Sequence, residues 1–355
     1  MQRYVGLDAH SKNSVYVIQD AEGQVVGRGK VPTTADGFKD MRDRLELRSG
    51  TPVALESGAV AFVVADYLND LGLRPIVVDA REVRVKASRP RQKSDFRDAR
   101  ELCEGVRRGM YRAIVSVPPR EIRTLRETLS RRRHFVRVRT AQVNAAKWLL
   151  RSNGKGALAR SLQLESGWNT LIAALSDTPA LQAFVRQHQA VWRCAGEQVT
   201  LLDLEIRRLG RTWKKELTLL ETAPGVGTIV GSTALAVLFD PHRFPSAKHA
   251  ASYAGLVPTT DQSGDREHYG HITKRGSSEL RAMLCEAAQH ARRTNHPLHP
   301  YFAKVWVRRG YRMAVVAVAH RLCRILFAML RDGTPFRPDN AGIERSVPTY
   351  RLRRA

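Results

Sequence analysis

Closely spaced cysteines are missing from this chain. Its four, Cys103, Cys194, Cys285 and Cys323, lie far apart and form no CxxC motif. That argues against a disulfide framework and a thiolate zinc site, and fits a reducing, cytoplasmic compartment. Long unbroken apolar runs are missing as well. The most apolar late segment, residues 314–330, is interrupted by His320, Arg321 and Arg324, so it reads as a buried or amphipathic helix and not as a membrane span. Met1-Gln2-Arg3-Tyr4 runs straight into a strand pattern and has no signal-peptide pattern. No low-complexity segment and no internal repeat is found.

Acids are scarce too. Asp plus Glu number 34 against 59 Lys plus Arg, which gives a formal net charge of +25 and a sequence pI near 10.7. The excess runs along the chain and is not gathered in a tail, so it points to a long polyanion, a nucleic acid, as partner. A hydrophobic share of 43% is enough to bury an interior, which argues against global disorder. A length of 355 residues leads to an expectation of two or three domains.

Given that scarcity, the placing of four acids is informative. Asp8 ends the apolar run Tyr4-Val5-Gly6-Leu7-Asp8, and Glu56 ends Val53-Ala54-Leu55-Glu56; both runs read as strands. Asp95 and Asp98 lie in Lys93-Ser94-Asp95-Phe96-Arg97-Asp98-Ala99-Arg100, where their i,i+3 spacing puts both on one face of a helix. Clustered carboxylates repel one another unless cations neutralise them. In a basic chain such a cluster points to divalent metals acting on a phosphate backbone, since two ions can stabilise the attacking and leaving oxygens of an in-line displacement. Mg²⁺, or Mn²⁺ in its place, takes oxygen ligands of this kind.

The first hundred or so residues read as α/β. Tyr4–Asp8, Ser14–Asp20, Gln24–Val31, Val53–Glu56 and Arg74–Val78 are expected strands, with a hairpin turn at Asp20-Ala21-Glu22-Gly23. Ala59–Leu71 is an expected helix that Gly72 would cap. This order is the one expected of a ribonuclease-H-like sheet. From about Pro118 to Leu220 the pattern becomes one of long charged helices, near Glu121–Leu150 and Pro179–Leu220. The second carries Leu201, Leu202, Leu204, Ile206 and Leu209 among its charges. Such helices pair either within the chain or with a second subunit. Arg131, Arg132, Arg133 and Arg137 on the first would face phosphates.

After Leu219, Pro224-Gly225-Val226-Gly227 before an apolar helix resembles the turn of a helix–hairpin–helix, where Gly225 and Gly227 amides could hold a DNA phosphate. Ser263 in Gln262-Ser263-Gly264 is expected in a loop, with His271, Lys274 and Arg275 following as cations for an attacked phosphate. Among competing serines, Ser277 reads as a helix cap and Ser252 as a packing residue.

Taken together, Gly6-Leu7-Asp8, Leu55-Glu56-Ser57, Ser94-Asp95-Phe96-Arg97-Asp98-Ala99, Pro224-Gly225-Val226-Gly227, Ala254-Gly255-Leu256-Val257-Pro258, Gln262-Ser263-Gly264 and Ile272-Thr273-Lys274-Arg275-Gly276 resemble one family. It is that of the DEDD-type transposases of insertion sequences numbered one-ten, relatives of the Piv-type pilin-gene invertases. Departures are Asp265, where many members have a second glycine, and Ser94, where threonine is usual.

The resemblance implies a RuvC-like metal-binding domain over 1–117 and a helical, coiled-coil-like dimerisation and nucleic-acid-binding region over 118–218. It further implies a mostly helical transposase domain over 219–340 and a basic tail over 341–355. It implies a recombinase acting on double-stranded DNA at element ends and target, nucleoid-associated when bound. Asp8, Glu56, Asp95 and Asp98 would hold Mg²⁺, Ser263 would be the nucleophile, and a non-coding bridge RNA would guide the enzyme. A homo-oligomer is expected, a dimer or a tetramer in the synaptic complex, with no membrane involved. A serine needs activation to attack, so the carboxylates and Ser263 are expected to act together. A resolvase-like hydrolytic nuclease would need the carboxylates alone, and a Piv-type invertase would use the same set. A non-enzymatic binding protein has no reason to concentrate carboxylates where phosphates lie.

Overall fold

The first apolar run folds as strand β1 (Tyr4–Ala9), followed by β2 (Asn13–Gln19) and β3 (Val25–Pro32). The expected turn joins the second and third: Asp20 Oδ1 accepts from Gln24 N at 2.8 Å, and Gly23 has φ +90°. The remaining elements of this part are α1 (Ala35–Arg44), β4 (Pro52–Glu56), α2 (Ala61–Asp70), β5 (Arg74–Val78), α3 (Ala80–Lys86) and α4 (Asp95–Arg107). The computed structural model describes residues 2–86, 94–159, 162–263 and 266–338, and of 260–263 and 266–269 only the backbone. Its packing divides the chain into two compact units, Met1–Pro118 and Pro119–Ala355.

In the amino-terminal unit the strand order is β3-β2-β1-β4-β5, with β1 antiparallel to β2 and parallel to β4. Alternation along the strands assigns the faces. Val5 and Leu7 of β1 join Val53 and Leu55 of β4 in a core with Phe38 and Met41 of α1 and Val64 and Leu68 of α2. Gly6 and Asp8 point the other way, as do Ala54 and Glu56, and that face is covered by α4 through Ala99 and Leu102. Two helices, α1 and α3, were not foreseen from the sequence; the first begins at a Thr34 cap whose side chain accepts from Gly37 N at 3.1 Å.

The approach of α4 to β1 is set by Gly6. A Cβ there would lie 1.9 Å from the Ala99 carbonyl oxygen and 2.4 Å from the Cys103 nitrogen. Both are backbone atoms, so no side chain can give way. Cys103 adds to the seam: its thiol, pushed up to about 12 by burial, donates to the Tyr4 carbonyl oxygen at 3.1 Å.

The carboxy-terminal unit is mostly helical. It contains α5 (Arg120–Ser152), α6 (Glu165–Ala173), α7 (Pro179–Gly210), α8 (Lys214–Glu221), α9 (Thr228–Leu238) and α10 (Ala247–Tyr253). A hairpin of β6 (Pro258–Ser263) and β7 (Arg266–Ile272) follows, then α11 (Ser278–Gln289), α12 (His299–Arg309) and α13 (Tyr311–Asp332). The two long helices pack on each other within the chain and run antiparallel: Arg132 pairs with Asp203, while Gln142 bonds His188 at 2.7 Å. The expected apolar stripe of α7 does not lie on one face. Ile206 is buried with Leu125 and Leu129, whereas Leu201 and Leu204 are each 57% exposed. α13 is the one described helix long and apolar enough to cross a bilayer, but Ala314, Val318, Leu322 and Leu326 place it in the core of this unit.

The Gly6 contact yields a direct test. Gly6→Ala should cost about 3 kcal/mol by overpacking against backbone and abolish strand cleavage, read by urea unfolding and a cleavage assay. Wild-type stability and activity in this variant would refute the tight α4–β1 seam.

Candidate active site

β1 and β4 are parallel neighbours paired Val5 with Val53, Gly6 with Ala54 and Leu7 with Leu55. The next residue on each strand is Asp8 and Glu56, so both acids stand at the carboxyl ends of adjacent strands, on the face that α4 covers. In α/β sheets this is where ligands bind. Asp95 and Asp98 occupy the first turn of α4, one turn beyond the buried Ala99 and Leu102. Its helix dipole favours negative charge there. The sheet register and the helix seam thus bring the acids toward one locus.

The electrostatics agree. The carboxyl of Asp8 is held above its ordinary value, first by burial and then by Asp98 and Asp95, while His10 pulls the other way. His10, two residues past Asp8, points its Nε2 at Asp8 Oδ2 (3.2 Å) and Asp95 Oδ1 (3.8 Å). One ligand atom from each of Asp8, His10 and Asp95 lies within 4.8 Å of the others, close enough to hold one metal ion. The donor set is hard carboxylate oxygen with one borderline imidazole nitrogen, which fits a divalent cation. Such an ion would relieve the repulsion that lifts Asp8.

Beside the acids lies an open cleft of about 180 Å³ lined by His10, Lys12, Lys30 and Asp95 among others. Lys30 enters it through register: Asp8 pairs with Val15, and Val15 with Lys30, so one row crosses three strands. Two rungs back, Arg28 stacks over Phe96 at 5.8 Å. None of His10, Lys12 or Lys30 was singled out from the sequence as a site residue. The signal was present in Asp8-Ala9-His10 and in the hairpin register, but an isolated lysine on an edge strand has no pattern of its own.

In the other unit, Ser263 is not in a loop. It is the last residue of β6, paired with Arg266 of β7, while its side chain and residues Gly264 and Asp265 lie outside the described residues. The base of this hairpin is locked by two glycines. Gly255 has φ +68° and Gly276 φ +93°, and a Cβ on either would fall about 2 Å from a backbone carbonyl across the junction, that of Arg275 or Tyr253. Lys274 is also left-handed, at φ +53°, and its N–H reaches the Gly255 carbonyl oxygen at 3.2 Å. His271, Lys274 and Arg275 are exposed at this base. Ser277 caps α11 by accepting from Leu280 N at 3.1 Å. Ser252 is exposed on α10, so it is not the packing residue expected, because α10 buries Ala250 and Ala251 instead.

Gly225, at φ +79°, and Gly227, the cap of α9, form the turn between α8 and α9. The arginines of α5 spread around the helix, as consecutive residues must. Arg131 is exposed beside Glu127, Arg132 turns inward to Asp203, and Arg133 and Arg137 lie near the half-buried Glu279 of α11.

A raised folded-state value at Asp8 gives stability that is present below the ordinary carboxylate value and lost as pH rises from there through the raised folded-state value. Asp8→Asn should therefore raise the neutral-pH melting temperature of metal-free protein by about 2–4 °C, and a rise with Mg²⁺ or Mn²⁺ is expected in the wild type and not in this variant. Thermal melts in chelator and in each cation decide it; an Asp8→Asn protein that still gains stability from the cation would place the metal elsewhere.

Comparison with known proteins matches two regions, the first of which runs past the boundary at Pro118 and through α5. Residues 5–153 match a family model described as a transposase, the DEDD type of IS110 elements, and residues 217–303 match one described as the Transposase IS116/IS110/IS902 family. The chain is 25% identical over 390 aligned positions to the 44.8 kDa protein of insertion element IS116 from Streptomyces clavuligerus, covering 94% of this chain and 96% of that one. It is 28% identical to a probable family 20 transposase of Pseudomonas aeruginosa, over 81% of this chain and 86% of the other. With the pilin gene-inverting protein of Moraxella lacunata it shares 30% identity over 55% of its own length and 63% of the relative's. The acids at the strand ends, the α4 seam and both matched regions belong to one kind of enzyme: this chain is a member of the IS110/IS116 transposase family, which cuts and rejoins DNA.

Proposed function

We propose that this transposase is guided by a non-coding bridge RNA and breaks DNA through Ser263, with Asp8, Glu56, Asp95 and Asp98 as its metal-binding carboxylates. The observation that carries the metal part is the convergence of Asp8, His10 and Asp95 within 4.8 Å, with Glu56 in register beside Asp8. In this reading residues 1–117 form a ribonuclease-H-like, RuvC-type domain. Residues 118–218 form the helical region that meets nucleic acid and a second subunit, residues 219–340 carry the serine, and 341–355 form a basic tail.

Divalent ions, Mg²⁺ or Mn²⁺, would supply charge neutralisation at the attacking and leaving oxygens. Ser263 Oγ forms a bond to a backbone phosphorus, the phosphorus–oxygen bond to one sugar breaks, and the serine's proton ends on that leaving oxygen. Rejoining is the reverse step with a different sugar hydroxyl. Arg275, Lys274 and His271 at the hairpin base would neutralise the phosphate, and Lys12 and Lys30 would do so beside the carboxylates. Gly225 and Gly227 would present backbone N–H groups to a further phosphate.

Support for an oligomer comes from α7. Phe184, Val191, Leu201 and Leu204 are all at least 45% exposed on it, and their spacing of seven, ten and three residues is that of a coiled-coil seam. A Piv-type inversion reaction stays open as a second reading because a pilin gene-inverting protein is among the relatives. It would use the same residues on a different arrangement of sites.

Denaturing gels after reaction with labelled DNA should show a protein–DNA adduct that Ser263→Ala and chelation each remove. Asp98→Ala should abolish cleavage with DNA affinity unchanged within about twofold, because losing a negative charge does not weaken contact with a polyanion. Full recombination by Ser263→Ala would leave hydrolytic chemistry at the carboxylates. Changing the pairing segments of the RNA should redirect insertion with no change of protein sequence; failure there would favour base readout by the protein.

The arginines of α5 give a separate expectation. Arg131→Ala with Arg137→Ala should lower the slope of log affinity against log salt by about 1.8. Arg132→Ala should leave that slope unchanged and cost roughly 1 kcal/mol of stability through the lost Asp203 pair. Fluorescence anisotropy across a salt series and urea unfolding distinguish the two roles.

A further inference from the structure

The 45 residues 287–331 contain no Asp or Glu and nine Lys or Arg. At their centre α12 ends at Arg309 and α13 begins at Tyr311, with Gly310 alone between them. Gly310 has φ +82° and ψ 166°, a region of the backbone map that is essentially glycine's alone. The chain therefore turns a sharp corner with no loop, and residues 306–313 are all exposed.

The chemistry of this corner is not that of an ordinary solvated turn. Val307 is 88% exposed and Met313 50%, and the edges of Trp306 and Tyr311 also reach solvent. The two rings are held firmly: the buried Phe302 packs on Trp306 at 5.6 Å and on Tyr311 at 5.9 Å, and they meet each other near edge-on at 6.0 Å. Arg308, Arg309 and Arg312 are interleaved with these apolar groups. Among the described residues neither Arg308 nor Arg312 is ion-paired.

Cations alone would serve any polyanion surface. Rigid aromatic and apolar groups set among them add something only where base or sugar faces are open to contact. A second copy of the same corner is a poor partner, because it would set arginine against arginine. The enzyme's own substrate is DNA that is cut and rejoined, so it presents strand ends and open bases.

We propose that the corner 306–313 is a DNA-binding surface for unpaired or unstacked bases. Arg308 and Arg312 meet phosphates, while Trp306, Val307 and Met313 lie against base or sugar faces. The surface does not depend on the roles proposed for Ser263 or the carboxylates.

The test uses full-length protein, fluorescence anisotropy and three probes of one sequence: single-stranded DNA, intact duplex and single-stranded RNA. Arg308→Ala with Arg312→Ala should lower the salt slope on single-stranded DNA by about 1.4, at about 0.7 per phosphate. Trp306→Ala should weaken that binding about fivefold or more. Because Trp306 also packs on Phe302, Val307→Glu at a solvent-exposed position is the variant that spares the fold. It should weaken single-stranded DNA binding about tenfold with an unchanged thermal melt. Unchanged affinity and slope in all three variants would overturn the proposal. So would a loss confined to RNA, an equal loss on intact duplex, or loss of self-association by light scattering in place of DNA binding.

Discussion

The amino-terminal site depends on how closely helix α4 can lie against strand β1. A helix normally packs on a sheet through side chains, which keep the two backbones well apart. Here Gly6 removes the side chain at the crossing, and the Ala99 carbonyl and Cys103 amide come to where a Cβ would stand. That contact fixes the height of the helix over the sheet and its position along β1. Asp95 and Asp98 follow from it, because they are one turn up the same helix face, and Asp8 follows because it is two residues up the same strand face. The acids of two distant sequence segments are thus placed by one missing methyl group.

Placing acids this way is costly in the absence of a cation. Asp8 is partly buried and surrounded by Asp95 and Asp98, and its carboxyl is raised accordingly. Such strain is characteristic of sites that trade stability for function. The chain as a whole carries the opposite sign, with a net excess of 25 positive charges. A polyanion drawn to that charge therefore meets negative charge where Asp8, His10 and Asp95 lie close enough to hold a cation. The lysines of the cleft, Lys12 and Lys30, soften that boundary, and the acid-free corner at Gly310 extends the basic surface in the other unit.

The second unit uses the same device for a different purpose. Gly255 and Gly276 let two turns touch backbone to backbone at the foot of the β6–β7 hairpin. This ties Ala254-Gly255-Leu256-Val257-Pro258 to Lys274-Arg275-Gly276, segments that the sequence separates by a hairpin. The result is a rigid base for the strand that ends at Ser263. In this chain, close backbone approach through glycine joins the segments at both places.

Much of the amino-terminal fold was legible in the residues themselves. Five short apolar runs gave five strands, Asp20–Gly23 gave its turn, and the spacing of Asp95 and Asp98 gave their shared helix face, because these depend on local periodicity and turn chemistry. The cap at Ser277 was equally local. What the sequence left open depended on pairing between distant segments. The β6–β7 hairpin lacks apolar alternation, since Thr259, Thr260, Gln262, Ser263, Glu267 and His268 read as loop until they are paired. The inward turn of Arg132 needed Asp203 on the facing helix. His10, Lys12 and Lys30 joined the acids only through strand register and the cleft it forms. The sequence by itself determined which residues carry charge and which face of each element they occupy, because helix and strand periods are intrinsic to the backbone. Tertiary structure alone decided which faces meet and at what distance, because register and close approach are set by contacts between segments far apart in the chain.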